Sequence, residues 1–280
     1  MIDNNDTNIL YLSRILKDKY AAFFKRFEEA LMKRDIAFEL LENTCDIWAR
    51  DYMPVQIAAD NFVQFVYDPS YLKKYPEWKT DAGPIVRAMG LKTNQSKLLL
   101  DGGNVIQASD KVFLCDRIFS ENETLDKADI LRELETIFET DNIIILPTDP
   151  LDDFGHADGM LRVIDSDTVL INHYEKEDEA HKEKLLKVLK ESKLHWEELP
   201  YNPYKNKSKR DAKGIYLNFL QMKDVIFLPI FGLEEDDLAI QKMEEVFSSS
   251  TIVPIMSNEI AKQGGVLNCI SWNIKHEKED

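Results

Sequence analysis

A chain of 280 residues with 44% hydrophobic content has enough apolar side chain for a folded core, which excludes a disordered segment. Its 35 basic residues against 51 acidic ones leave a formal charge of -16 with no basic stripe, which excludes a nucleic-acid partner held through phosphates. Such acidity serves solubility first and a cationic ligand second.

Short runs rich in β-branched and aromatic residues alternate with charged stretches of helical period. In chain order the pattern predicts a strand at Asn8–Leu12, a helix at Lys17–Arg34, strands at Ala37–Glu42, Val55–Ala58 and Phe62–Tyr67, and a helix at Pro84–Met89. Strands at Lys97–Leu100, Val105–Ala108 and Val112–Cys115 precede a helix at Asn122–Thr140 and strands at Asn142–Leu146, Leu161–Ile164 and Thr168–Asn172. A helix at Asp178–Glu191 leads to strands at His195–Leu199, Tyr216–Gln221 and Val225–Pro229 and a helix at Glu234–Phe247. A strand at Thr251–Pro254, a short helical turn at Ser257–Ala261 and a strand at Val266–Trp272 follow. The order ββαβ recurs in hydrophobic pattern but not in residue identity, so the class is α/β or α+β with quasi-symmetric modules. One polar break, residues 202–214, holds five Lys or Arg among its thirteen residues; it reads as an exposed loop, either beside a site or as a solvated connection.

The N-terminal stretch carries charges where a signal peptide needs an apolar core, and no run of about 18 apolar residues occurs, so a cytoplasmic protein without a membrane partner is expected. The three cysteines, Cys45, Cys115 and Cys269, are odd in number and far apart, which signals neither a disulfide framework nor a zinc site. One Cys with a His and carboxylates elsewhere is then a candidate nucleophile.

Four segments could carry chemistry. Trp48–Pro54, WARDYMP, sets Asp51 before a strand, where it could grip a cation; the plainer reading is a turn with an Arg–Asp pair. Residues 98–106, LLLDGGNVI, carry two glycines that permit a close approach or a tight hairpin. In FGHADGMLRVI, residues 154–164, an extended backbone would align His156, Asp158, Met160 and Arg162 on one face, a buried site or a polar row on an exposed sheet. In QGGVLNCISW, residues 263–272, Cys269 lies in a predicted apolar strand, where a packed thiol is the plainer reading.

Together and in this order the segments resemble the guanidinium-modifying superfamily, especially agmatine deiminases and bacterial peptidylarginine deiminases. The family's W-x-R-D-x-x-P matches Trp48, Arg50, Asp51 and Pro54; [ED]-G-G-N matches Asp101, Gly102, Gly103 and Asn104; G-H-x-D matches Gly155, His156 and Asp158; the terminal G-G-x-x-x-C matches Gly264, Gly265 and Cys269. The resemblance spans Trp48 to Trp272 and departs where Asn268 replaces the His that usually precedes the nucleophile. It implies a single-domain five-bladed α/β propeller (pentein) over residues 1–280, with Cys269, His156, Asp158 and Asp51 catalytic. Trp48, Arg50, Asp101, Gly102, Gly103, Asn104, Arg162 and Asn268 would contact substrate.

The chemistry so implied is attack of a Cys269 thiolate on a guanidinium carbon held by two carboxylates, protonation of the departing amine by His156, and hydrolysis of a thiouronium, with no metal or organic cofactor. The substrate is a small cationic guanidinium compound, whether agmatine, arginine or an arginyl peptide. Arg162 would read a substrate carboxylate or phosphate, or else pair with an acid of the protein. An amidinotransferase of the same fold and a non-catalytic binder of cations stay open, as does a homo-oligomer.

Overall fold

The computed structural model describes residues 1–2, 4–108, 110–174 and 178–276. Its architecture is five three-stranded sheets of one connectivity. In each, two strands pair antiparallel and the second pairs parallel to a third reached through helix, as a parallel crossover requires. In the first sheet β1 (Ile9–Ser13) runs parallel to β2 (Ala37–Leu41) across α1 (Arg14–Lys19) and α2 (Ala21–Met32). Its antiparallel member comes from the far end of the chain. A short α3 (Ala49–Tyr52) enters the second sheet, β3 (Val55–Ala58), β4 (Asn61–Val66), α4 (Ala82–Ala88) and β5 (Thr93–Leu99). The third is β6 (Ile106–Gln107), β7 (Val112–Cys115), α5 (Arg117–Glu121), α6 (Lys127–Phe138) and β8 (Ile143–Leu146). The fourth is β9 (Leu161–Val163), β10 (Thr168–Asn172), α7 (Glu179–Glu191) and β11 (His195–Leu199). The fifth is β12 (Leu220–Met222), β13 (Val225–Ile230), α8 (Glu235–Val246) and β14 (Thr251–Met256). After α9 (Asn258–Ala261), β15 (Ser271–Ile274) returns to the first sheet, with Ile9 opposite Ile274 and Leu12 opposite Ser271.

The helices follow from their apolar spacing. In α6, Ile130, Leu134 and Phe138 recur every four residues and are buried with Val112 and Leu114 of β7. Each such side chain contributes about 1.5–3 kcal/mol by leaving water. All four residues of β7 are buried, since one face meets α6 and the other the neighbouring modules. In α2, Phe23, Phe27 and Leu31 form the buried face, and Phe27 meets Phe227 of β13 edge-on at 5.6 Å.

Four expectations change. The helix expected at 17–34 starts at Arg14 and breaks at Tyr20, whose backbone leaves the helical region. The helix expected at 122–140 starts only at Lys127, because the Asn122 amide accepts from Leu99 N and donates to Leu99 O, both at 2.9 Å, tying the chain to the end of β5. The strand expected at 216–221 pairs only from Leu220, and the one expected at 266–272 only from Ser271. Among the described residues no helix is long and apolar enough to cross a membrane.

Candidate active site

The four motifs converge because each occupies the same place in its module, the connection that enters the first strand. Asp51 lies in α3 before β3, Asp101 and the 3-10 turn Gly102–Asn104 before β6, and His156 with the 3-10 turn Ala157–Gly159 before β9. Cys269 lies in a turn before β15. The extended row expected from His156 to Arg162 is therefore absent. The turn, closed by Met160 N–H to Ala157 O at 3.0 Å, places His156 and Asp158 together without strand alternation. The fifth module contributes Asn218, before β12, which sequence reasoning took for a strand residue. Its Oδ1 accepts from both Val266 N and Cys269 N at 3.2 Å, and its carbonyl accepts from Asn268 N at 3.0 Å. Three donors captured by one residue, with Ser271 Oγ–H donating to Leu267 O at 2.6 Å, keep 266–270 in a turn despite its apolar composition.

These connections enclose a cavity of about 90 Å³. Trp48, Asp51, His156, Asp158 and Cys269 line it, with Asp46, Tyr71, Asp152, Phe154, Arg210 and Asn218 among the others. Cys269 Sγ lies 3.6 Å from Asp158 Oδ2, and Asn268 Nδ2 donates to the same oxygen at 2.7 Å. His156 stands between two carboxylates, Nε2 at 2.9 Å from Asp101 Oδ2 and Nδ1 at 3.6 Å from Asp51 Oδ1. Tyr71 donates to that Asp101 oxygen at 2.8 Å, and Gly103 N donates to Asp51 Oδ1 at 3.1 Å. Asp152 accepts from the N–H groups of Phe154, Gly155 and His156, which sets the backbone of the His156 turn.

Two glycines are demanded by close approach. A Cβ on Gly103 would stand 2.6 Å from Asp51 Oδ1 and 2.7 Å from His156 Nδ1, and one on Gly265 would stand 2.8 Å from Cys269 Sγ and 2.9 Å from the Trp48 ring. The plainer hairpin reading of the DGG segment gives way to this packing role.

The electrostatics separate the thiol from the imidazole. Burial, reinforced by Asp158 and Asp51, holds the Cys269 thiol well above its ordinary value, with the Asn218 contact opposing. Burial by itself would lower His156, but Asp51, the Asp101 hydrogen bond and Asp158 outweigh it and bring the imidazole up to about 10. Burial, together with Asp101 and Asp158, raises Asp51, and His156 opposes. These shifts favour a protonated thiol and a protonated imidazole on the walls of one cavity.

Seven expected substrate contacts stand behind the cavity wall: Arg50, Asp101, Gly102, Gly103, Asn104, Arg162 and Asn268 do not line it. Asn104 Oδ1 instead accepts from Cys115 N at 2.8 Å, bracing the end of β7. Arg50 donates to Asn268 Oδ1 at 3.4 Å and to Asn273 Oδ1, and its backbone N–H reaches Cys269 O at 3.1 Å. Arg162, on β9, is buried with its guanidinium 4.5 Å from the centre of the Phe219 ring, paired with neither Asp51 nor Asp101. Burial brings Arg162 down to about 10 while Asp158 opposes. Arg210 of the basic 202–214 loop does reach the cavity.

The family model for Porphyromonas-type peptidyl-arginine deiminase matches residues 14–274. A Vibrio parahaemolyticus protein named as an agmatine deiminase is 24% identical over 271 residues, covering 82% of this chain and 75% of its own length. In solved structures the fold is shared with C. jejuni agmatine deiminase at a TM-score of 0.80 and 18% identity, covering 98% of this chain and 94% of that one. It is also shared with DDAH of Pseudomonas aeruginosa at a TM-score of 0.60 and 12% identity, covering 96% and 99%. Five ββαβ modules, four motifs at matching module positions and a family match over nearly the whole chain lead to one assignment: the protein belongs to the Porphyromonas-type peptidyl-arginine deiminase family, on the pentein fold.

Proposed function

We propose that the protein is a guanidine hydrolase that converts a small guanidinium substrate into a ureido product and ammonia through a thiouronium on Cys269. The observation that carries this reading is the single cavity in which Cys269, His156, Asp51 and Asp158 meet. A guanidinium is planar and permanently charged, so its carbon is attacked only when carboxylates fix the plane and a thiolate stands above it. Asp51 and Asp158 supply the carboxylates. The cation also lowers the cost of ionising the buried Cys269 thiol, which supports a nucleophile armed by its own substrate.

As the guanidinium enters, the Cys269 thiol loses its proton to solvent; Sγ then bonds to the guanidinium carbon, and the C–N bond to the departing nitrogen breaks as the His156 imidazolium gives that nitrogen a proton, releasing ammonia. The neutral imidazole then takes a proton from water as its oxygen bonds to the same carbon. The C–S bond then breaks with its electron pair returning to Sγ, and the hydroxyl proton passes to Sγ as the carbonyl forms, leaving the ureido product and the thiol. Asp101 and Tyr71 hold the imidazole in place for both transfers.

The non-catalytic reading rests on Asn268, which cannot donate a proton at neutral pH. Its amide is committed on both sides, to Arg50 and to Asp158, so it positions a carboxylate and leaves proton transfer to His156. A colorimetric ureido assay across agmatine, arginine, methylguanidine and arginyl peptides, with Cys269→Ser alongside, tests the proposal. Turnover that survives Cys269→Ser would overturn it.

A further inference from the structure

Behind the wall that carries His156, one side chain fastens two of the segments that set the imidazole. Arg117 opens α5 and does not line the main cavity; a small void of about 10 Å³ is bordered by it together with Glu121, Asp101 and His156. Its Nη2 donates to Ser70 Oγ at 3.0 Å and pairs with Glu121 Oε1 at 2.8 Å, and its Nη1 donates to the Asp153 carbonyl at 3.2 Å. Glu121 completes the grip on Ser70, Oε2 accepting from its N–H at 3.1 Å and Oε1 from its hydroxyl at 2.7 Å. The next residue is Tyr71, whose ring centre lies 5.4 Å from the Arg117 guanidinium. Its hydroxyl donates to Asp101 Oδ2, the oxygen that meets His156 Nε2. Burial, with Asp101 adding, holds that hydroxyl well above its ordinary value, so it stays a donor. On the other side, Asp153 lies in the turn that Asp152 orders through the Phe154, Gly155 and His156 N–H groups. One guanidinium fork thus spans the acceptor side and the backbone side of the imidazole, a geometry that a single ammonium cannot copy.

We infer that Arg117 is a positioning residue: by locking Ser70 and Tyr71 to the 153–156 turn it fixes the His156 imidazole against Asp101 and keeps it aimed for both proton transfers. The inference rests on the reading of His156 as the proton donor of a guanidine hydrolase. Arg117 stands outside the cavity, so its effect falls on the chemical step and not on binding. It also falls in none of the four motif segments, which is why only the geometry exposes it.

The test measures kcat and KM in the ureido assay, with agmatine and with arginine, for the wild type, Arg117→Met and Arg117→Lys. Met keeps the stem and removes the fork. Arg117→Met is expected to lower kcat about tenfold or more with KM within about twofold, and Arg117→Lys, which keeps the charge and one donor, to fall between it and the wild type. Tyr71→Phe cuts the same path, so the double variant is expected to lose less than the product of the two single losses. A kcat that Arg117→Met leaves standing, a loss carried by KM, or losses that multiply overturns the inference. Should Arg117→Met fail to fold, Ser70→Ala takes only the hydroxyl out of the grip; a fall in kcat of about threefold is expected there, and no fall overturns the inference. Proton NMR of the protein with isotope-labelled histidine reads the positioning without turnover. The His156 Nε2–H, buried against Asp101, is expected to be sharp in the wild type and broadened by solvent exchange in Arg117→Met. Broadening in a protein that turns over neither guanidine retires the hydrolase reading and sustains the fastening of His156 by Arg117. Turnover with an unchanged resonance does the reverse, and neither turnover nor broadening overturns both.

Discussion

Cys115 and Cys269 are both buried, and desolvation pushes both thiols well up, yet their surroundings differ in every other respect. Cys115 closes β7 in a region of regular pairing, with its N–H held by Asn104 and its Sγ 3.5 Å from Met160 Sδ. Cys115 is fully buried and is not among the residues that line the cavity. Cys269 sits in a turn pinned by Asn218, beside Asp158, on the wall of a cavity. Burial alone makes an inert thiol. A thiol becomes a nucleophile when a ligand that reverses the desolvation penalty has room to enter, and only the second region provides that room.

Five experiments break or sharpen this contrast. Cys269→Ser is expected to lower kcat/KM by at least about ten-thousandfold in the ureido assay, as loss of a covalent nucleophile does. Gly265→Ala drives a methyl into Sγ and the Trp48 ring and should cost about a hundredfold in kcat with the far-ultraviolet circular dichroism preserved. The imidazolium is the proton donor, so raising the pH through about 10 strips it in the free protein and kcat/KM should fall about tenfold per unit beyond that point. The same raised value makes the His156 contacts stabilising in full below its unfolded value of about 6.5, with that contribution lost as pH rises through about 10; urea midpoints against pH read it. Cys115→Ala, the smallest effect, should leave kcat/KM within about twofold and cost about 1 kcal/mol in urea unfolding. A large loss of activity there would end the distinction between the two thiols.

The sequence made the modules legible because hairpins and amphipathic helices write their periods into composition. Val55–Ala58, Val112–Cys115, Thr168–Asn172 and His195–Leu199 were placed to the residue. It misled where local polar bonds override an apolar run: Leu267–Ile270 reads as strand, yet side-chain and backbone acceptors on Asn218 hold it as a turn. Asn218 itself was hidden for the same reason, inside YLNFL, and only its place before β12, equivalent to that of Asp51, Asp101, His156 and Cys269, could have exposed it. Cavity-lining Trp48, Asp51, His156, Asp158 and Cys269 were readable from motif order. That Arg50, Asn104, Arg162 and Asn268 support the wall instead was not, since a motif records which residues are required and not which way they face.

The pairing of β15 with β1 makes one contact the condition for a complete reactive centre. Cys269 precedes β15 by a single residue, Ile270, so the nucleophile takes its place only when β15 docks on β1. The other four modules hold both carboxylates and the imidazole and, without that docking, carry no reactive centre. Reactivity toward guanidines therefore depends on that one closure of β15 on β1, and no part of it precedes the docking.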